Sequence, residues 1–381
     1  MAKFIKSFLL LLFAINSSAV SIHVQDSTGN PIPDAMISLG VQTTLYAKTD
    51  YAGNATISQP WDDNYLFIAR HHNYGRTNPQ YINTATQSNL TFVLPPFTYL
   101  RVATYNMKGN DYWDNSQIQP LAKIFWTVQP DVVCLQECPE TGLLFEEFQK
   151  IYMPDYTSIV SRFGYYVYNG FLSFYPIESS WSYGISVMTR DLYSATIDVP
   201  GNISMTFLSA HFKCCTGEYE GNRRNEEAQF VAEHCSNLYT QGKMFLFAGD
   251  LNDDPGHPRP PSHVQSILLI SNPAAHLVQL QATDDGGDID TYIGYTDRRY
   301  DFLYPVNSLA DKFIDSSVFR TGTMTNRPAW LSIDESEEAS DHRMVYADFN
   351  IVPEACSFII YYLSFMIYYI RRISPIGRIK K

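Results

Sequence analysis

Basic residues are scarce in this chain. Its 381 residues hold 27 Lys and Arg against 39 Asp and Glu, a formal net charge of −12. The scarcity is sharper inside than at the ends. Residues 1–19 and 355–381 contain no acid and hold two and five of the bases, so 20–354 carries 20 bases against 39 acids. A protein that grips a polyanion by neutralising its phosphates has the opposite balance, which excludes tight, non-specific binding to duplex nucleic acid. Cysteine is sparse too: six residues, no two at the CxxC spacing of a zinc site. Apolar residues are not lacking. At 45% hydrophobic and 14% aromatic the chain is not disordered. At ~150 residues per domain its length suits about two domains.

The two ends read as addresses. Lys3 and Lys6 precede an apolar stretch, Phe8 to Ile15, and Ser17 and Ala19 place small residues before a cut at Val20. Residues 1–19 therefore have the layout of a secretory signal peptide, and the protein is expected to be exported, to the periplasm, the cell surface or the medium. In the 351–381 segment, Ala355 to Ile370 is sixteen residues without a charge, followed by Arg371 and Arg372. As a helix this run spans ~24 Å, slightly less than a ~30 Å hydrocarbon core. Val352-Pro353-Glu354-Ala355 with the apolar run and the Arg pair resembles the PEP-CTERM sorting signal, with Ala355 where that signal has a second proline. A plain transmembrane anchor, or a core strand with a ragged tail, fits the same residues.

Five cysteines lie in the body of the protein, at 134, 138, 214, 215 and 235. In an oxidising compartment an odd number leaves at least one thiol unbridged. Cys134, inside the apolar run Val132–Leu135, reads as core, whereas Cys214, Cys215 and Cys235 offer one bridge whose partners stay open.

Residues 20–97 show short alternating runs broken by turns, such as Ser27–Pro31 and Thr49–Asn54. This predicts a small, antiparallel all-β sandwich. Gly29, Pro31, Pro33, Ala35 and the Asp50–Gly53 turn resemble carboxypeptidase-regulatory-like modules. His71-His72 reads as a surface loop, and Leu94-Pro95-Pro96 as a linker. Beyond it, in 98–350, strands and helices alternate. Leu100–Tyr105 is strand-like, and Ile118, Leu121, Ile124, Phe125 and Val128 share a helix face. Val132–Leu135 is a buried strand, and a strand, helix and strand follow at Met205–Ser209, Glu226–Leu238 and Met244–Ala248. Such alternation predicts an α/β domain.

Repeatedly, an apolar strand in this domain runs into a polar residue: Asn106, Glu137, His211, and Asp250 with Asn252. Asp301 opens another apolar run, and Asp341-His342 precede a last one. Any one of these is most simply a turn or cap residue. Together they place four carboxylates, two asparagines and two histidines at strand ends, where α/β sheets form ligand crevices. No serine or cysteine nucleophile stands beside a base. An oxygen-rich set suits Mg²⁺, Mn²⁺ or Ca²⁺, and histidines beside such an ion move protons for an attacking water and a leaving group. The chemistry predicted is metal-assisted hydrolysis of a phosphate ester.

Thr104-Tyr105-Asn106, Leu135-Gln136-Glu137, Ser209-Ala210-His211, Gly249-Asp250-Leu251-Asn252, Tyr300-Asp301-Phe302 and Ser340-Asp341-His342 follow one another in this order. As a set they resemble the endonuclease/exonuclease/phosphatase (DNase I-like) superfamily. The resemblance implies a four-layered α/β sandwich of two packed sheets with the site at one edge. It implies Glu137 as the main Mg²⁺ ligand, helped by Asn106 and Asp341. It makes Asp250 the group that orients or deprotonates the attacking water, with Asn252 on a phosphate oxygen. It pairs His342 with Asp301, facing the scissile phosphate, and makes His211 the second histidine.

For the substrate, the loop after His211 leads to Arg223-Arg224, which read either as phosphate clamps or as solvated residues on a helix start. The leading expectation is an exported metal-dependent phosphodiesterase or nuclease, acting on small or single-stranded substrates. A phosphomonoesterase or a sphingomyelinase-like lipid phosphodiesterase, anchored to a membrane through its C-terminal segment, is the second. A catalytically silent surface-binding protein is the third. Residues 98–354 hold 34 acids and 17 bases. A long polyanion is therefore repelled, and added salt should raise any nuclease activity at low ionic strength.

Overall fold

The computed structural model describes residues 18–40, 46–59, 64–109, 115–139, 142–163, 167–256, 265–294 and 296–351. The signal-peptide and C-terminal readings fall almost wholly outside these residues. Among the described residues no helix is long and apolar enough to cross a membrane.

Seven strands form the first part: β1 (Ser18–Asp26), β2 (Met36–Gly40), β3 (Tyr46–Lys48), β4 (Asn54–Gln59), β5 (Asn64–Arg70), β6 (Gln80–Asn83) and β7 (Asn89–Leu94). They make two sheets, β4-β1-β7 and β3-β2-β5-β6. Alternate residues meet between them: Val20, Ile22 and Val24 of β1 and Leu90, Phe92 and Leu94 of β7 face Ile37, Leu39, Phe67 and Ala69. Both predicted turns form, each closed by an aspartate that accepts backbone N–H groups: Asp26 from Thr28 and Asn30, Asp50 from Ala52 and Asn54. One expectation is corrected. The sandwich is not wholly antiparallel, because β1 and β7, its first and last strands, lie side by side and parallel, from Ser21 opposite Asn89 to Asp26 opposite Leu94. Strands so far apart in sequence are free of the hairpin constraint that forces antiparallel pairing.

The second part contains β8 (Leu100–Asn106), α1 (Asn115–Val128), β9 (Val132–Pro139), α2 (Gly142–Tyr152), β10 (Thr157–Val160), β11 (Val167–Ser173), β12 (Ile177–Tyr183), β13 (Leu192–Val199) and β14 (Ile203–His211). It continues with α3 (Glu218–Thr240), β15 (Phe245–Asp250), α4 (Gln265–Ile270), β16 (Asp301–Pro305), α5 (Asn307–Ala310), β17 (Phe313–Val318), α6 (Glu335–Ala339) and β18 (Val345–Phe349). Two mixed sheets result, β10-β11-β9-β8-β18-β17 and β12-β13-β14-β15-β16. Within each, one pair is parallel and joined by a helical crossover: β8 to β9 through α1, and β14 to β15 through α3. The sheets face one another across a core in which Val102, Val133, Leu135, Phe207, Phe247 and Tyr304 are fully buried. This is the four-layered α/β sandwich expected.

The two parts share that core. Phe67 and Ala69 of β5 point into the small sandwich, while Leu66 and Ile68, one residue out of step, join the core of the second part. Gly40 lies so close to the Trp126 ring of α1 that an added Cβ would come within 3.0 Å of it. Around this seam Asp131, just before β9, accepts from Arg70 Nη2 at 3.0 Å, from Arg76, and from the Arg101 backbone N–H at 2.8 Å. His71 and His72 do sit in a loop, with His72 edge-on to Phe174 at 4.5 Å.

Candidate active site

Strand register gathers the site. His211 is opposite Asp250 in the parallel β14–β15 pair, and Asp250 is opposite Asp301 in the antiparallel β15–β16 pair. Three titratable side chains thus form a row across one sheet. On the facing sheet Asn106 ends β8 and Glu137 lies near the end of β9. Gly249 makes this tight packing possible: a Cβ there would meet the Ala210 carbonyl oxygen at 2.0 Å.

Glu137 owes its direction to a bulge. Tyr168 pairs with Cys138 and Gly170 with Leu135, so Gln136 and Glu137 together oppose the single residue Asn169. Glu137 has φ 52, and its side chain is a quarter exposed beside His211. Bulges of this kind re-aim side chains next to functional sites. Behind it Gln136 is buried, taking Thr104 Oγ1 and giving to Ser209 Oγ, which ties the two sheets together.

Asp250 is the centre. Its Oδ2 accepts from Asn106 Nδ2 at 3.0 Å and lies 3.4 Å from His211 Nε2 and 3.7 Å from His342 Nε2. Its Oδ1 accepts the Asn252 backbone N–H at 2.8 Å, closing a turn in which Asn252 has φ 50. His342 Nδ1 meets Asp301 Oδ2 at 2.8 Å, the dyad expected. Ser340 fixes it from below, with Oγ donating to the Asn106 carbonyl and accepting the His342 N–H. Tyr292 packs on the His342 ring at 5.1 Å.

These surroundings set the charges. Burial pushes the Asp250 carboxyl up, and with Asp301 nearby it reaches about 7 even though His342 pulls it down. Burial opposes charge on His342, but Asp301 and Asp250 outweigh it and lift its pKa to about 10. His211 is held well below its usual value by burial, then by Arg190 and His342. Burial thus favours its neutral ring, whose Nε2 lies 3.4 Å from Asp250 Oδ2. His342, folded at about 10 against an ordinary 6.5, gives stability that is complete below pH 6.5 and is lost as pH rises toward 10. Asp250, raised from 3.8 to about 7, acts in the same direction at lower pH. The melting temperature of chelator-treated protein should accordingly fall between pH 6.5 and 10, and Asp301→Asn should flatten that slope; a parallel slope in the variant would refute the assignment.

The residues fit a divalent cation. Glu137, Asn106 and Asp341 supply hard oxygen donors, and Asp250 and Asp301 are opposed carboxylates buried in one crevice. Asp250, Asp301 and His342 also offer atoms within 4.8 Å of one another. Asp301 Oδ2 is engaged by His342, whereas the Glu137 carboxylate is a quarter exposed beside His211. Asp341 sits at the rim, 3.4 Å from Lys108 Nζ. Asn252 donates through Nδ2 to the Phe212 carbonyl at 3.2 Å, which leaves its second amide N–H for a phosphate oxygen.

For Arg224 both readings of the basic pair are corrected. Arg224 is 2% exposed and donates to the carbonyls of Lys213 and Cys215, because α3 begins at Glu218 and turns this residue inward. Arg223 pairs with Glu226 at 3.0 Å. No disulfide joins the described cysteines; Cys235 is buried in α3, and Cys214 Sγ lies 2.9 Å from Cys215 Sγ. The sequence reading missed Arg190, which donates to the Phe212 carbonyl and acts on His211, and Tyr292. Thr189-Arg190-Asp191 reads as an ordinary turn, and no pattern marks either residue.

The family model described as Endonuclease/Exonuclease/phosphatase family matches residues 103–342. The chain belongs to this family. Members of it hydrolyse phosphate esters, and Asn106, Glu137, His211, Asp250, Asp301 and His342 all lie within the matched span. Among solved structures, a family protein from Leptotrichia buccalis C-1013-b is similar at 18% identity and a TM-score of 0.48, over 66% of this chain and 99% of that one. One from Bacteroides thetaiotaomicron is similar at 16% and 0.49, over 66% and 97%. D. rerio TDP2, complexed with single strand DNA product, is similar at 13% and 0.49, over 67% and 100%. None of the curated proteins compared with the chain matches it.

Proposed function

We propose that this family member hydrolyses phosphodiester bonds by attack of a water molecule, with a divalent cation, Mg²⁺ first, held by Asn106, Glu137 and Asp341. The observation that carries the reading is the convergence of Asn106, His211 and His342 on one oxygen of Asp250, 3.0 to 3.7 Å away. With its pKa near 7, Asp250 in its carboxylate form can take the proton of a water at neutral pH. His342 is an imidazolium whose tautomer and direction Asp301 fixes, and it faces the charge that develops on the phosphoryl group and leaving oxygen. Neutral His211 and the Asn252 amide add donors without adding charge. A divalent cation bound at these oxygens supplies Lewis-acid polarisation of the phosphate.

Purified full-length protein should hydrolyse bis-p-nitrophenyl phosphate, lose that activity in EDTA and regain it with Mg²⁺. Hydrolysis that survives exhaustive chelation would remove the metal from the reading. A panel of single-stranded DNA, RNA, sphingomyelin and inositol phosphates then selects the substrate. The acid excess of 98–354 favours short or single-stranded phosphodiesters over duplex DNA or anionic membranes.

The same proposal places the enzyme outside the cytoplasm, supported by the layout of residues 1–19. Removal of that segment leaves Val20 still opposite Ile57 in the β1–β4 pair. N-terminal sequencing of protein from the native host should start at Val20; a start at Met1 or Ala2 would contradict export.

A further inference from the structure

Two cysteines adjacent in the sequence lie on the segment that leaves β14, just past His211. Cys214 Sγ is 2.9 Å from Cys215 Sγ, against ~2.04 Å for a bonded pair of sulfurs. Neighbouring side chains ordinarily diverge, and on a strand they take opposite faces. Here Cys215 has φ 78, a left-handed backbone uncommon in a residue with a Cβ, and the two sulfurs meet.

The curl is held by the groups behind it. Arg224, 2% exposed, donates through Nη1 to the Lys213 carbonyl at 3.0 Å and to the Cys215 carbonyl at 2.9 Å. One guanidinium nitrogen thus gathers the two carbonyls that bracket the pair. The Lys213 N–H donates to Glu227 Oε2 at 2.8 Å, and the Phe212 carbonyl takes Asn252 Nδ2 and Arg190 Nη1. The backbone around the dipeptide is therefore fixed to α3 and to the active site.

Access separates this pair from the other described cysteines. Cys134, Cys138 and Cys235 are fully buried, and burial pushes their thiols up, away from the thiolate that reacts. Cys215 is exposed and Cys214 half-buried, with Lys213 Nζ 3.9 Å from Cys214 Sγ.

We propose that Cys214 and Cys215 form a reversible redox site, closed to a disulfide by exchange with an external disulfide of the glutathione type and reopened by thiols. In the closing direction Cys215, the exposed sulfur, attacks one sulfur of the external disulfide. That S–S bond breaks and a mixed disulfide forms. Cys214 then attacks Cys215 Sγ, the mixed disulfide breaks, and the bond between the two residues forms. The two electrons given up by the pair reduce the external disulfide, and the two thiol protons end on its two sulfurs. A bridge this exposed belongs to the labile kind. It closes on the segment whose Phe212 carbonyl holds the Asn252 amide, one hydrogen bond from the site. The inference goes beyond the proposed hydrolysis and does not depend on it.

The test is a mass map of full-length protein held in excess oxidised glutathione, alkylated with N-ethylmaleimide and then digested. The peptide spanning 214–215 should be lighter than the dithiol by two hydrogen atoms and carry no label. After return to excess reduced glutathione, the same peptide should take a label on each cysteine. Cys214→Ser removes the second step, so Cys215 should there retain one glutathione. Labels on both cysteines of the parent after oxidation, or glutathione retained on both, would overturn the site. So would a bridge to Cys235, a bridge that persists in excess reduced glutathione, or a Cys214→Ser protein that keeps no glutathione.

Discussion

Asp250→Asn should lower kcat for phosphodiester hydrolysis by about 10³-fold with KM little changed, because it removes the base and leaves the crevice the same shape. Asparagine still accepts at one oxygen, so the links to Asn106 and to the Asn252 N–H are kept in part and the fold survives. His342→Ala should fall about as far, since it removes the cation that faces the developing charge. The double variant should lose little more than either single one, as groups acting through one transition state are not additive. Asp301→Asn sits between: it keeps the imidazole but frees its orientation and charge. Steady-state kinetics with circular dichroism as a folding control decide the matter. A drop of less than tenfold in Asp250→Asn would move the base elsewhere.

Asp131→Ala should have the largest effect on stability, about 3–5 kcal/mol, the usual result of removing one partner from a buried ion pair. Its carboxylate is 3% exposed and answers Arg70, 5% exposed, and Arg76, 10% exposed, besides the Arg101 backbone N–H. Alanine leaves two guanidinium groups in a seam closed by Phe174, Tyr156 and Tyr175. Replacing Arg70 and Asp131 together by apolar residues should do less harm than Asp131→Ala alone. Guanidinium unfolding curves measure both. A loss under about 1 kcal/mol in the single variant would show that water reaches the seam.

Why these predictions divide as they do reflects what a sequence can carry. Asn106, Glu137, His211, Asp250, Asp301 and His342 were legible because each terminates or opens an apolar run, and strand ends converge in an α/β sandwich. Their order along the chain pointed to the same fold. Asp131 was not legible in its full role: Pro130-Asp131 looks like a helix stop, and its partners Arg70 and Arg76 lie about sixty residues away in the other part of the chain. The bulge at Glu137 was invisible for a similar reason, since register is a property of two strands and not of one. Arg224 misled because a basic pair reads alike whether it faces solvent or, as here, turns back on its own loop.

That bulge also has a consequence for how the chain can vary. Side chains alternate along a strand, so the face that Glu137 presents is fixed by counting residues from Val132, with the extra residue at 136–137 included. Deleting one residue there would keep every apolar side chain upstream in place and send the carboxylate to the opposite side. Loss of catalysis by such a slip requires no change in composition, hydrophobicity or charge. In this strand chain length itself is under constraint, while surface loops remain free to lengthen and shorten.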